Sequence, residues 1–135
     1  MTIRDYGLHD ERALFALYAA VGWTNYVKKP AMLREACAHS LCMLGAYEGE
    51  ELVGFIRAVG DGASIVFIQD LLVLPAFRRR GIGTALVKAA MERYAGVYQL
   101  QLLTDDTPEA NAFYRSLGFT DAADMGCRAF VKMTV

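Results

Sequence analysis

The chain has 135 residues, 55% of them hydrophobic, which suits one compact domain with a buried core and leaves little for a second. Its 14 basic and 15 acidic side chains give a formal charge of -1, which excludes a strong overall field for binding nucleic acid or an anionic membrane. The three cysteines are odd in number and lack C-x-x-C spacing, so neither a disulfide framework nor a metal site is indicated. We therefore expect a single domain over residues 1–135 with reduced cysteines.

The chain also lacks the usual signals for a membrane or an export route. No apolar run reaches the roughly 18 residues that a membrane helix needs. The opening residues, Met1 to Asp5, lack the apolar stretch of a signal peptide. We expect a cytoplasmic protein.

The first part of the chain predicts a strand, two helices and a hairpin. A short strand over Thr2 to Tyr6 is followed by a helix that Asp10 can cap and that Gly22 to Asn25 end. Pro30 is well placed as the first residue of the second helix. Two apolar runs joined by a polar turn then indicate antiparallel strands, at residues 41–47 and 52–59.

The second part alternates strands and helices. Residues 64–74 are apolar on both faces, as in a central strand, and a helix opens near Gly81 or Gly83 and closes at Gly96. A strand at 98–103 precedes a helix that Thr107 and Pro108 begin. We predict final strands around Phe119 and over residues 128–134. A strand, helix, strand order implies a parallel pair, so the sheet should be mixed.

The most informative segment lies between the central strand and the helix that follows it. Its glycines let the backbone approach a ligand, the helix N-terminus points N–H groups outward, and the arginines add positive charge. These properties favour a phosphate site, although a tight turn beside a solvated arginine run would look the same. The residues concerned are Arg78, Arg79, Arg80, Gly81, Ile82, Gly83 and Thr84.

Two other phosphate motifs do not fit this segment. The dinucleotide fingerprint needs a small residue where this chain has Leu86, because helix and strand must pack closely there. A P-loop ends in Gly-Lys followed by Ser or Thr, whereas Gly83 is followed by Thr84 and Ala85. Neither a dinucleotide fold nor a P-loop is indicated.

The segment resembles the phosphate loop of the GNAT superfamily of N-acetyltransferases, which reads Gln/Arg-x-x-Gly-x-Gly/Ala after a bulged central strand. Arg78 to Gly83 match it at every fixed position, and the resemblance continues in Asp70 to Pro75 and in Ala112 to Phe119. It implies an α/β fold with a mixed, mostly antiparallel sheet, a splayed parallel strand pair and flanking helices. It also implies acetyl transfer from acetyl-CoA to an amine. The turn at Gly22 and Trp23 looks closest to members that acetylate arylalkylamines.

The resemblance assigns coenzyme contacts mainly to the backbone. The N–H groups from Arg79 to Thr84 would bind the pyrophosphate, and the Thr84 hydroxyl would assist. The backbone of Leu71, Leu72 and Val73 would hold the pantetheine arm where two parallel strands splay apart. An N–H near Leu71 or Leu72 would stabilise the oxyanion that forms on the thioester.

The resemblance makes Tyr114 the general acid that protonates the departing thiolate. The alternative is a structural tyrosine that packs beside Phe113. Thr107, Asn111 and Tyr114 share one helical face and could all line the coenzyme groove. Many members have Asn where this chain has Thr107, so either Thr107 or Asn111 would contact the pantetheine, unless Asn111 simply faces solvent.

Asp70 is the candidate that removes a proton from the amine, directly or through water, because it interrupts an apolar strand just before the expected bulge. Its alternative role is an ion pair with Arg57. Trp23 and Tyr26 would line the pocket of the acceptor, a small-molecule amine, although core packing explains a single Trp nearly as well.

We expect a direct, single-step transfer without a metal. We do not expect Cys37 or Cys42 to act as a nucleophile, because neither has a histidine base in the manner that nucleophilic thiols require. The other possibilities are acetylation of a protein N-terminus or lysine, and a coenzyme-binding sensor without turnover. The family often pairs through a sheet edge or its C-terminal strands, which implies a homodimer.

Overall fold

A computed structural model describes residues 1–8 and 10–134. The chain forms two compact units, one spanning Met1–Leu103 and one that begins at Thr104. The expectation of a single domain stays a prediction.

The first unit is built on a five-stranded sheet with the order β1-β2-β3-β4-β5. Neighbouring strands are antiparallel from β1 to β4, whereas β4 and β5 are parallel. This confirms the predicted mixed sheet with one parallel pair. The strands are β1 (Thr2–Asp5), β2 (Cys42–Glu48), β3 (Glu51–Gly60), β4 (Ile65–Val73) and β5 (Gln99–Leu102).

Four helices belong to this unit, three of them before β2 and one between β4 and β5. Asp10 accepts a hydrogen bond from the Ala13 N–H and so caps α1, and Pro30 is the first residue of α3, both as predicted. One short helix, α2, lies where only a chain reversal was expected. The helices are α1 (Glu11–Ala20), α2 (Thr24–Val27), α3 (Pro30–Ala38) and α4 (Ile82–Arg93).

The helices cover both faces of the sheet. Phe55 of β3 packs in one hydrophobic cluster with Leu14 of α1 and Leu33 of α3. A Cβ on the neighbouring Gly54 would lie 2.8 Å from Ile82 Cγ2 in α4, so only glycine fits beneath that helix. Since successive strand residues point to opposite faces, α1 and α3 lie on one face and α4 on the other.

The second unit contains α5 (Pro108–Ser116) and a 3-10 turn at Ala122–Met125. Thr107 caps α5 as predicted, since its hydroxyl oxygen accepts a hydrogen bond from the Ala110 N–H. The strands predicted around Phe119 and over 128–134 are absent from the described residues, so those predictions are wrong. Residues 128–134 include Phe130, Val131 and Thr134, which favour strands, but a strand forms only where a second backbone supplies hydrogen-bond partners.

Candidate functional site

A β-bulge at Gln69 changes the direction of the side chains in β4. Asp70 lies opposite Arg57 on β3, and Ile68 lies opposite Ala58, so Gln69 is an extra residue without an opposite partner. Because Arg57 and Ala58 point to opposite faces, Ile68 and Asp70 do as well. The bulge therefore places Asp70 on the face covered by α1 and α3.

The bulge is followed by a strand edge with unpaired backbone. β4 pairs with β5 only from Ile65 to Ile68, because β5 ends at Leu102. Leu71, Leu72 and Val73 therefore have no strand partner on the β5 side within the described part of the chain. Backbone donors and acceptors along this edge can bind an extended ligand as an additional strand would.

The segment from Arg78 to Thr84 forms the turn that leads into α4. Gly81 adopts a left-handed conformation, with φ of 82°, and precedes α4 without giving it a side-chain cap. The first N–H groups of α4 have no acceptor within the helix, so they are free to bind an anion. Arg78, Arg79 and Arg80 are all exposed, and the Arg80 guanidinium lies 4.9 Å from the centre of the Phe77 ring. The binding of a phosphate by this segment stays a prediction.

Asp70 is buried and holds three hydrogen bonds. Its Oδ2 accepts from the Tyr18 hydroxyl at 2.7 Å and from Arg57 Nε at 2.8 Å, while its Oδ1 accepts from the Tyr26 hydroxyl at 3.4 Å. The pairing with Arg57 that the sequence offered as the alternative role is therefore present. The catalytic role of Asp70 stays a prediction.

Three aromatic side chains meet beside this carboxylate. The Tyr18 ring centre lies 5.1 Å from that of Tyr26 and 6.1 Å from that of Trp23, and Trp23 and Tyr26 are 6.4 Å apart. The structure thus brings together the three residues predicted for the acceptor pocket, Trp23, Tyr26 and Asp70. Trp23 is 38% exposed, so this cluster reaches the surface, while Tyr18 is fully buried.

Tyr18 is a site residue that the sequence reading missed. It lies on the apolar stripe of α1 with Leu14 and Leu17, where it looks like an ordinary core residue. The available signal was its hydroxyl, since a buried phenol needs a hydrogen-bond partner.

Burial and charge keep this cluster in one protonation state near neutral pH. Burial, followed by the negative charge of Asp70, raises the pKa of the Tyr18 phenol. Burial by itself lowers the pKa of the Arg57 guanidinium, but the charge of Asp70 and its hydrogen bond raise that pKa by more, so the pKa is raised. Burial also raises the pKa of the Cys37 thiol, which lies near this ion pair. Tyr18 is therefore neutral, Arg57 is charged and Cys37 is a thiol.

The second unit holds the remaining predicted residues on α5. The Tyr114 ring is partly buried and packs edge-on against Phe113 at 4.9 Å and Phe119 at 5.8 Å. Burial raises the pKa of the Tyr114 phenol, although a hydrogen bond with Thr104 opposes the shift. Tyr114 therefore keeps its proton at neutral pH.

Thr107 and Asn111, the two pantetheine candidates, already have local partners. Thr107 caps α5, and Asn111 Oδ1 accepts a hydrogen bond from Arg115 Nε at 2.8 Å. A ligand contact from the Asn111 oxygen would compete with Arg115, whereas the amide nitrogen stays available. Which of the two residues contacts the coenzyme stays a prediction.

A family model described as an acetyltransferase (GNAT) domain matches residues 39–121. The chain belongs to the GNAT acetyltransferase family. A solved GNAT-family acetyltransferase, SP0256 from Streptococcus pneumoniae TIGR4, is 41% identical with a TM-score of 0.89, covering 98% of this chain and 97% of that one. The resemblance stated from the sequence is thereby confirmed, and this GNAT chain carries an acetyl-CoA-dependent N-acetyltransferase domain.

Curated relatives of this GNAT chain carry different acetyltransferase names. Mycothiol acetyltransferase from Kineococcus radiotolerans is 35% identical over 87% of this chain and 40% of its own length. Serotonin N-acetyltransferase 2 from Oryza sativa, a chloroplastic protein, is 30% identical over 82% of this chain and 56% of its own length. The chain thus spans about half the length of these relatives. Their names alone do not select an acceptor.

The described residues contain neither a membrane-spanning helix nor a metal-binding cluster. No described helix is both long enough and apolar enough to cross a bilayer. The described histidine, cysteine and acidic side chains form no group of three that could hold a metal ion.

Proposed function

We propose that this protein transfers the acetyl group of acetyl-CoA directly to a primary amine of a small molecule. The observation that carries the proposal is the position of the aromatic cluster of Tyr18, Trp23 and Tyr26. It surrounds Asp70, which immediately precedes the unpaired backbone of residues 71–73. An acceptor held by these rings would lie next to the strand edge that suits a thioester arm. Flat aromatic walls favour an arylalkylamine.

The coenzyme contacts follow from the two backbone features. The N–H groups from Arg79 to Thr84 bind the pyrophosphate, aided by the exposed arginines. The edge formed by Leu71, Leu72 and Val73 binds the pantetheine arm, and one of its N–H groups stabilises the oxyanion. The residues present fit acetyl-CoA, because both features need backbone donors rather than particular side chains.

The transfer itself needs two bond changes and two proton transfers. The amine nitrogen attacks the thioester carbon, a C–N bond forms and the C–S bond breaks. The departing thiolate takes a proton from Tyr114, whose raised pKa keeps it protonated. The amine must lose a proton, and the three donors already bound to Asp70 favour water as the acceptor of that proton.

No covalent intermediate on cysteine is required. Burial raises the pKa of both the Cys37 and the Cys42 thiol, which disfavours the reactive thiolate. The unpaired cysteines also support a reducing compartment such as the cytoplasm.

The test is release of the coenzyme A thiol in the presence of different amines. We expect release with an arylalkylamine such as 2-phenylethylamine, at a kcat/KM at least about tenfold above that for spermidine or a lysine peptide. Faster release with the peptide would instead favour protein acetylation. Tight binding of acetyl-CoA without release of the coenzyme A thiol for any amine would favour a coenzyme-binding sensor without turnover.

We also propose that the protein forms a homodimer through its C-terminal segment, residues 128–134. Phe130 is 89% exposed and Met133 is 82% exposed, and β5 is the last strand of the described sheet. Pairing between an exposed strand-like segment of one copy and the free edge of β5 in another would bury these side chains and satisfy backbone groups on both.

Sedimentation velocity tests this dimer. The wild-type chain is expected to sediment as a dimer and Phe130→Asp as a monomer, because the charge disfavours burial of the segment. Met32→Asp, which changes an exposed side chain on α3, is the matched control and should stay dimeric. A monomeric wild type, or a dimeric Phe130→Asp variant, would contradict the proposal.

A further inference from the structure

We infer that Asp70 is a positioning residue rather than the general base, and that with Arg57 it holds in place one wall of the acceptor site, made by the partly exposed Tyr26 and supported from behind by the buried Tyr18. This inference rests on the proposed function, because it assigns the specificity of that site. It adds Tyr18 and Arg57 to the residues that determine acceptor binding.

The ion pair at the centre is almost completely shielded from water. Asp70 is 2% exposed and Arg57 is 4% exposed, and their closest atoms are 2.8 Å apart. Neither charge would be tolerated there alone, because an unpaired buried charge is strongly disfavoured. The pair as a whole is neutral.

The hydrogen bonds of this pair connect the elements around the acceptor site. Asp70, next to the bulge of β4, binds Tyr18 of α1 and Tyr26 of α2. Arg57 of β3 also donates from Nη1 to the Ser40 hydroxyl at 3.2 Å, and that hydroxyl donates to the Ala36 carbonyl of α3 at 2.8 Å. One carboxylate thereby fixes the helices relative to the strand edge within the first unit.

The same contacts leave little room for proton transfer by Asp70. Its Oδ2 is occupied by a guanidinium and a phenol, and the remaining contact at Oδ1 is the hydroxyl of Tyr26. The nearby titratable groups are Tyr18, Tyr26, Arg57 and Cys37. A general base must receive a proton and later release it, whereas this carboxylate is closed off from bulk water.

A charge-neutral double variant separates the two roles. Asp70→Asn leaves Arg57 without a counter-charge, so we expect lower thermal stability and a raised KM for the amine. Asp70→Asn combined with Arg57→Gln restores a neutral pair that can still hydrogen-bond. The thermal stability of the double variant should recover, and its kcat should be within about tenfold of wild type. The decrease of kcat toward low pH should be the same as in the wild type, because Asp70 does not accept the proton. A folded double variant that binds acetyl-CoA but has lost about 10²-fold or more in kcat would overturn the inference.

Tyr18→Phe keeps the ring and removes only the hydroxyl. It therefore tests the role of Tyr18 in the acceptor site without leaving a buried charge unpaired. We expect the KM for the amine to rise about fivefold, with kcat and the affinity for acetyl-CoA unchanged. Tyr94→Phe, at the end of α4, is the matched control and should leave all three values unchanged. An unchanged amine KM, or a loss confined to kcat, would overturn the role of Tyr18.

Fluorescence of Trp23 keeps this test independent of turnover, because it is the one tryptophan in the sequence. The Trp23 ring centre lies 6.1 Å from that of Tyr18. Without the hydroxyl that fixes the Tyr18 ring, the neighbouring Trp23 ring should move more, so Tyr18→Phe should lower its emission anisotropy, whereas Tyr94→Phe should not. If no amine is acetylated, the proposed function fails, but the anisotropy still tests whether the hydrogen bonds of Asp70 hold this aromatic cluster in place. An unchanged anisotropy in Tyr18→Phe would contradict the inference whatever the activity.

Discussion

Tyr114→Phe is expected to slow acetyl transfer by about 10²-fold while leaving the affinity for acetyl-CoA unchanged. The substitution keeps the ring that packs against Phe113 and Phe119 and removes the proton that the thiolate would take. Because burial raises the pKa of this phenol, the loss of acid catalysis in the wild type should begin only above the ordinary tyrosine value of about 10. Single-turnover rates and calorimetry measure the two quantities separately.

The matched control for this substitution is Tyr98→Phe, which removes a hydroxyl from an exposed tyrosine next to β5. Its turnover should equal that of the wild type. If Tyr114→Phe were equally active, Tyr114 would not be the general acid.

The second large effect is expected at the phosphate loop, where Gly81→Asp should weaken acetyl-CoA binding by about 10²-fold. Gly81 has φ of 82°, a backbone conformation that residues other than glycine rarely adopt. The new carboxylate would also stand at the N-terminus of α4 beside three arginines, where a phosphate is expected to bind. Repulsion and a distorted turn should both reduce the affinity measured by calorimetry.

Gly49→Asp distinguishes these effects from backbone strain alone. Gly49 also has a left-handed conformation, with φ of 60°, and like Gly81 it has no atom near an added Cβ. It lies in the turn between β2 and β3, so the two variants should lose similar stability, and only Gly81→Asp should lose coenzyme affinity. If both variants lost the same affinity for acetyl-CoA, the segment around Gly81 would have no special role in coenzyme binding.

Local signals in the sequence were sufficient for most of the fold. Asp10, Pro30 and Thr107 each mark a helix start because a cap or a first-turn proline acts within a few residues. The phosphate loop is readable for the same reason, since its glycines and the helix that follows are adjacent in the chain. Fold class and family could therefore be predicted correctly.

The ion pair of Asp70 with Arg57 was one of the roles that the sequence offered, but its two tyrosine partners could not be predicted, because they come from distant parts of the chain. Tyr18 is separated from Asp70 by 52 positions and Tyr26 by 44. The resemblance implied a bulge just after Asp70, whereas the bulge lies at Gln69, just before it, and this position decides which face Asp70 occupies. The wrong strand over residues 128–134 has a related cause, because strand-forming side chains do not supply the second backbone that a strand requires.

Hydrogen exchange with and without acetyl-CoA is the most direct test of where this GNAT protein binds its coenzyme. We predict that acetyl-CoA slows amide exchange in residues 71–73, which have no strand partner on the β5 side among the described residues, and in residues 79–84 at the start of α4. The hairpin of β2 and β3 should be unchanged. Saturating acetyl-CoA that protects neither segment would contradict the account of the site.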